Sequence, residues 1–140
     1  MHASWLATIA AGAMLAVGAS VPARAFDDTQ FCNAVTHLTR TANDVGTWID
    51  RTTRNDGVEI LCDRKLVHFK RYSRTPASGL QDAWTTTKTE EWQSAYCARA
   101  MWREAVENGW IISATVTTVT GARVWFACQP GGAGFHRVLP

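Results

Sequence analysis

The sequence predicts an α+β fold: an antiparallel sheet of four to five strands with two helices on one face, two similar halves and two disulfides. Three observations carry this. A helical pattern followed by paired strand patterns occurs twice. The strand patterns are rich in β-branched residues and end at turn residues. Four cysteines fall at matching places, Cys32 and Cys62 in the first half, Cys97 and Cys128 in the second.

The chain opens with an apolar run, Trp5–Val21, followed by Ala23-Arg24-Ala25. Small residues at those two positions match what a signal peptidase reads, so residues 1–25 are expected to be a signal peptide cleaved before Phe26. The run is short for a membrane span, which needs about 20 apolar residues. No Lys or Arg precedes it, and no cysteine follows the cleavage site to take a lipid anchor. The alanine-rich core looks bacterial, which implies a periplasmic or secreted protein. Residues 26–140 then form one small domain, large enough for a single core.

Asp27, Asp28 and Thr29 can cap a first helix running from Gln30 to Asp44. Phe31, Ala34, Val35 and Leu38 supply its apolar face. Gly46 breaks it. Thr47–Thr53 reads as a strand or an extended lead-in. Asn55-Asp56-Gly57 reads as a turn. Val58–Cys62 and Leu66–Tyr72 read as strands joined at Asp63-Arg64-Lys65. Val67 and Phe69 then share one face, and His68 and Lys70 the other. Ser73–Thr86 has no period and reads as a loop between the halves.

The second half is the clearer unit. A helix is predicted within Thr87–Asn108, with Thr87 and Glu90 as a capping box. Ala95, Ala98, Met101, Trp102, Ala105 and Val106 share one arc of it. Asn108-Gly109 ends it, since glycine takes the left-handed conformation of a C-cap. Trp110–Val119 reads as a strand, Thr120-Gly121 as a turn and Arg123–Cys128 as the return strand. The tail from Gln129 carries Pro130, Gly131, Gly132 and Gly134 and reads as loose, with Phe135, Val138 and Leu139 able to dock back.

An even cysteine count in a small exported domain implies disulfides. Each half carries a cysteine in a helical pattern and one in a strand pattern, which favours Cys32–Cys62 and Cys97–Cys128 among three pairings. No C-x-x-C occurs for redox exchange, and no paired spacing for zinc. Asp50-x-x-Thr53 ahead of a hairpin, a helical Cys97, Gly109, a second hairpin and a closing Cys128 together resemble a pattern in small exported proteobacterial proteins of unassigned function. The resemblance covers most of residues 26–140. It implies a disulfide-braced α+β domain in the bacterial envelope and carries over no functional residue.

Chemistry is sparse. No G-x-S-x-G, glycine-rich phosphate loop or nucleotide fingerprint is present. His68 beside Lys70 on one strand face is compatible with general acid–base cleavage of RNA. His37 falls on a helix flank and His136 in the tail. Glu90-Glu91 and the Glu104/Glu107 pair fit solvated helix surface. The full chain has a formal net charge of +2. That near-neutral balance argues against the whole domain being a nucleic-acid binder. A local excess remains between Asp50 and Arg74, where Arg51, Arg54, Arg64, Lys65, Lys70, Arg71 and Arg74 face four acids. Six tryptophans lie beyond residue 25, and Trp84 falls in the predicted loop.

These readings favour a non-enzymatic exported binding or envelope-accessory protein, an inhibitor or adaptor being compatible. The alternative is a small exported hydrolase such as a nuclease, using His68 and Lys70. The candidate binding residues are Arg64, Lys70, Arg71 and Trp84. The partner class is an anionic envelope component or an acidic protein, with no specific nucleic acid, no cofactor and no metal expected. No transmembrane segment is expected after signal cleavage.

Overall fold

The structure is a computed structural model that describes residues 24–42, 45–75 and 82–140. The predicted leader run, the end of the first helix at Asn43 and Asp44, and residues 76–81 of the predicted loop lie outside the described residues. The elements in order are α1 (Asp28–Ala42), β1 (Thr53–Leu61), a 3-10 turn (Cys62–Arg64), β2 (Leu66–Ser73), α2 (Asp82–Trp92), a π-turn (Gln93–Cys97), α3 (Ala100–Glu107), β3 (Ile111–Thr118), β4 (Arg123–Cys128) and β5 (Gly134–Leu139).

Helix α1 starts where its cap predicts, with Asp27 Oδ1 accepting the Gln30 N–H at 2.9 Å. Its buried residues are Phe31, Cys32 and Val35, while Ala34 and Leu38 stay exposed. The apolar stripe is therefore rotated toward Cys32, which the disulfide draws inward. The predicted helix within Thr87–Asn108 is three segments. Helix α2 begins five residues earlier than Thr87, whose hydroxyl donates to Ala83 O at 3.0 Å from inside the helix rather than capping it. Trp84 accordingly sits in α2, not in a loop. The π-turn and the extended backbone of Arg99 then separate α2 from α3. Trp102, Ala105 and Val106 are buried as the helical arc requires, and Gly109 takes φ +88° at the C-cap.

Asn55-Asp56-Gly57 is not a turn. It is a bulge inside β1, where the register against β2 slips between Asn55 and Gly57. Asn55 Oδ1 accepts the Gly57 N–H at 3.0 Å, so the side chain satisfies the group the bulge frees and the strand runs on. The chain instead reverses at Asp50, whose Oδ1 accepts the N–H groups of Thr52 and Thr53, both at 2.7 Å. Trp48 bridges back to Arg54 beyond that turn.

The sheet has five strands in the order β1-β2-β3-β4-β5. It is mixed rather than antiparallel, because β2 and β3 run parallel. The reason is the connection between them, which passes through three helical segments; such a crossover returns the chain in the same direction. The predicted loose tail is strand β5, paired with β4 from Cys128–Gly134 to Arg123–Leu139. Two helix-then-hairpin halves are recognisable, the second extended by α3 and β5.

One core holds the molecule together. Alternation along the strands sends Val67, Phe69, Ile112, Ala114, Val124 and Phe126 to one face, where they meet Phe31, Val35, Trp92, Trp102 and Val106 from the helices. Phe69 is the hub, its ring 4.8 Å from that of Tyr96, 5.6 Å from Trp92 and 6.0 Å from Trp102. Both disulfides form as the spacing predicts, Cys32–Cys62 tying α1 to the 3-10 turn, which Cys62 opens rather than ending the strand, and Cys97–Cys128 tying the π-turn to the end of β4.

Candidate functional site

Among the described residues every helix packs on the core side, so no described helix covers the opposite sheet face. Pairing defines its rows. One reads Gly57–Lys70–Thr115–Trp125–Arg137 across the five strands; the next reads Arg54–Tyr72–Thr117–Arg123–Leu139. Neighbouring strands are about 4.8 Å apart, so each row spans about 19 Å. Trp125 points outward here, since Val124 and Phe126 are 0% and 2% exposed on the other face.

Two cation–aromatic clusters stand at the ends of this face. At the β1 end, Arg74 lies 3.7 Å from the Trp48 ring centre and Arg54 lies 4.6 Å over Tyr72. At the β5 end, Arg137 lies 5.0 Å from the Trp125 ring, which also meets Phe135 edge-on. Such stacking holds long arginines in place at a cost in entropy already met by the ring contact. Lys70 and Arg123 stand between the clusters, both exposed. Asp56 pairs with Arg54 at 2.7 Å and Glu59 lies 3.7 Å from Lys70. Among the described residues five cations thus face two side-chain carboxylates.

His68 occupies the same face, with Nδ1 2.8 Å from Ser113 Oγ and Nε2 3.1 Å from Thr115 Oγ1. Burial holds its pKa below the ordinary histidine value, against the raising field of Glu59 and with the lowering field of Lys70. Both ring nitrogens are therefore engaged by hydroxyls. Two hydroxyls stand as a nucleophile would beside this ring: Ser113, 2% exposed, and Thr115, half-buried. His136 is on the other face in β5, 2.6 Å from the Thr89 hydroxyl, so it does not join His68. Glu90, Glu91, Glu104 and Glu107 are exposed on helix surfaces as expected.

The four residues singled out from sequence separate. Lys70 is on the outer face. Arg64 is exposed in the 3-10 turn at the end of the hairpin. Arg71 is on the helix side, because adjacent strand residues point oppositely and Phe69 is its same-face neighbour. Arg64, Lys70 and Arg71 therefore share no single face. Arg71 and Trp84 do meet, as lining residues of one cavity between α2 and the sheet. Alternation alone sets Trp125 opposite Val124 and Phe126 and leaves open which side is outermost; burial of Val124 and Phe126 puts Trp125 outside. Arg123 and Arg137 carry no signal of their own beyond that same alternation.

No family model and no curated protein matches the chain. Among solved structures it is similar to a candidate secreted protein of Pseudomonas aeruginosa, at 11% identity over 82% of this chain and 95% of that one, with a TM-score of 0.50. At this identity the likeness is one of fold.

Proposed function

We propose that this chain is a non-enzymatic, exported binding or envelope-accessory protein whose outer sheet face meets an anionic partner in the bacterial envelope. The carrying observation is the outer face itself: Arg54, Lys70, Arg74, Arg123 and Arg137 gathered on a surface no described helix covers, in a chain of near-neutral charge. Positive charge concentrated on one face raises the local potential and speeds encounter with an anionic surface. Export is supported by the leader pattern and by two disulfides, which persist in oxidising compartments.

The test is co-sedimentation with phosphatidylglycerol vesicles and, separately, retention on an immobilised sulfated glycan. Binding should weaken between 0.1 M and 1 M salt, where the screening length falls from about 10 Å to 3 Å. The Lys70→Gln/Arg123→Gln/Arg137→Gln variant should lose retention while unfolding at nearly the parental temperature, exposed charges contributing about 0–1 kcal/mol each. A triple variant retained as well as the parent on both supports refutes this surface. RNA cleavage by the parent that disappears in His68→Ala, with the fold intact, would instead support the hydrolase.

A further inference from the structure

The helix-covered side holds a second candidate site. Two adjoining cavities, of about 220 and 290 Å³, share Ile49, Arg71 and Tyr96 as a common wall. Together they reach the size of small-molecule sites, roughly 300–1,000 Å³. One arm lies under α2, walled by Trp84, Trp92, Val116 and Phe126. The other is walled by Leu38, Phe69 and Trp102. Tyr96 stands at their junction because the π-turn carries it there, and π-turns recur at functional sites.

Charge at the junction is not balanced by contact. Four charged residues line the first arm: Asp50, Arg71, Lys88 and Glu91. Lys88 and Glu91 pair with each other at 2.7 Å. Asp50 spends Oδ1 on the backbone of Thr52 and Thr53. Arg71 is half-buried over the Phe69 ring at 5.1 Å. Its Nη1 donates to Asn55 Oδ1 and to the Lys70 carbonyl. Among the described residues no carboxylate lies within ion-pair distance of it, and Nε and Nη2 have no acceptor. A guanidinium with an open donor edge in an aromatic-walled cavity matches one planar carboxylate. A dianionic head is disfavoured, because Asp50 and Glu91 stand on the same wall and, among the described residues, no second free cation does.

We infer that this two-armed cavity binds an amphiphilic monocarboxylate, a medium-chain fatty acid, with its carboxylate on the open edge of Arg71 and its chain in an apolar arm. The site is separate from the outer sheet face and does not depend on it.

The experiment is calorimetric titration of the oxidised protein with octanoate, decanoate and dodecanoate below their micelle concentrations, with dodecanol as the uncharged body and acetate as the bare head. Affinity should rise about fourfold per methylene while an arm is filling, and acetate should not bind. Arg71→Met should weaken dodecanoate at least tenfold and leave dodecanol unchanged. Arg71→Lys, which keeps the charge and loses the fork, should fall between; it serves if the methionine variant does not fold. Val116→Phe should fill the arm under α2 and reduce binding of the longer acids. Three results overturn the inference: no dodecanoate binding by the parent, dodecanol binding as tight as dodecanoate, or unchanged dodecanoate affinity in both Arg71 variants.

Discussion

Replacing Cys97 and Cys128 together by alanine removes the bond that ties the π-turn to the end of β4. The two residues are 31 positions apart. In the chain-entropy model, closing a loop of that length restricts the unfolded chain by about 12 cal/mol/K, or about 3.7 kcal/mol at 25 °C. Natural domains are stable by only about 5–15 kcal/mol, so this is a large share. For a domain of roughly 115 residues the entropy of unfolding is about 240 cal/mol/K, which converts the loss to about 15 °C in Tm. Cys97 is fully buried, so the variant also loses packing in the wall of the core and the shift should not be smaller. The assay is urea unfolding of the parent and the double variant under non-reducing conditions. The midpoint should fall, and the slope should rise because the released chain exposes more surface when unfolded. The Cys32→Ala/Cys62→Ala pair, at a separation of 30, should lose a similar amount. A loss below about 1 kcal/mol for either pair would refute the view that these bonds brace the domain.

Gly132 has φ +82°, and a Cβ there would stand 3.1 Å from the Cys97 carbonyl oxygen, whereas Gly121 at φ +83° has open space around it. Gly121→Ala should therefore cost only the conformational strain, about 1–2 kcal/mol, and Gly132→Ala distinctly more by thermal unfolding; equal costs would remove the contact from the account. His68 titrates below its ordinary value in the fold because it is half-buried, so the unfolded chain takes up the proton first as pH falls through 6.5. Stability should then decline from pH 6.5 toward the lowered folded pKa, and His68→Gln should flatten that part of the profile; an unchanged profile would sink the assignment. Intact mass of the protein recovered from an envelope fraction should match a chain starting at Phe26 and lacking four hydrogens, and a full-length membrane-pelleting species would contradict the leader reading.

Local periodicity made much of this molecule legible. The helical arc through Trp102, Ala105 and Val106, the stop at Gly109, the strands on either side of Thr120-Gly121 and the two disulfides all follow from spacings of a few residues or from matched halves. So does the opposition of Val67 and Phe69 to His68 and Lys70. The rest depends on contacts that no local period encodes. Gly134–Leu139 is as long as β4, but Pro130, Gly131 and Gly132 ahead of it read as loop chemistry, and it becomes a strand because β4 offers an edge to pair with. Asn55-Asp56-Gly57 carries turn chemistry, yet Asn55 uses its side chain to keep β1 continuous. The parallel pairing of β2 with β3 follows from the helical crossover between them, not from either strand's composition. Arg71 and Trp84, read as a hairpin charge and a loop ring, meet at one cavity because the pleat turns Arg71 inward while α2, beginning before Trp84, lays that ring over the sheet. Periodicity fixes which way a side chain points from its own strand or helix; only the packing of those elements decides what it points at.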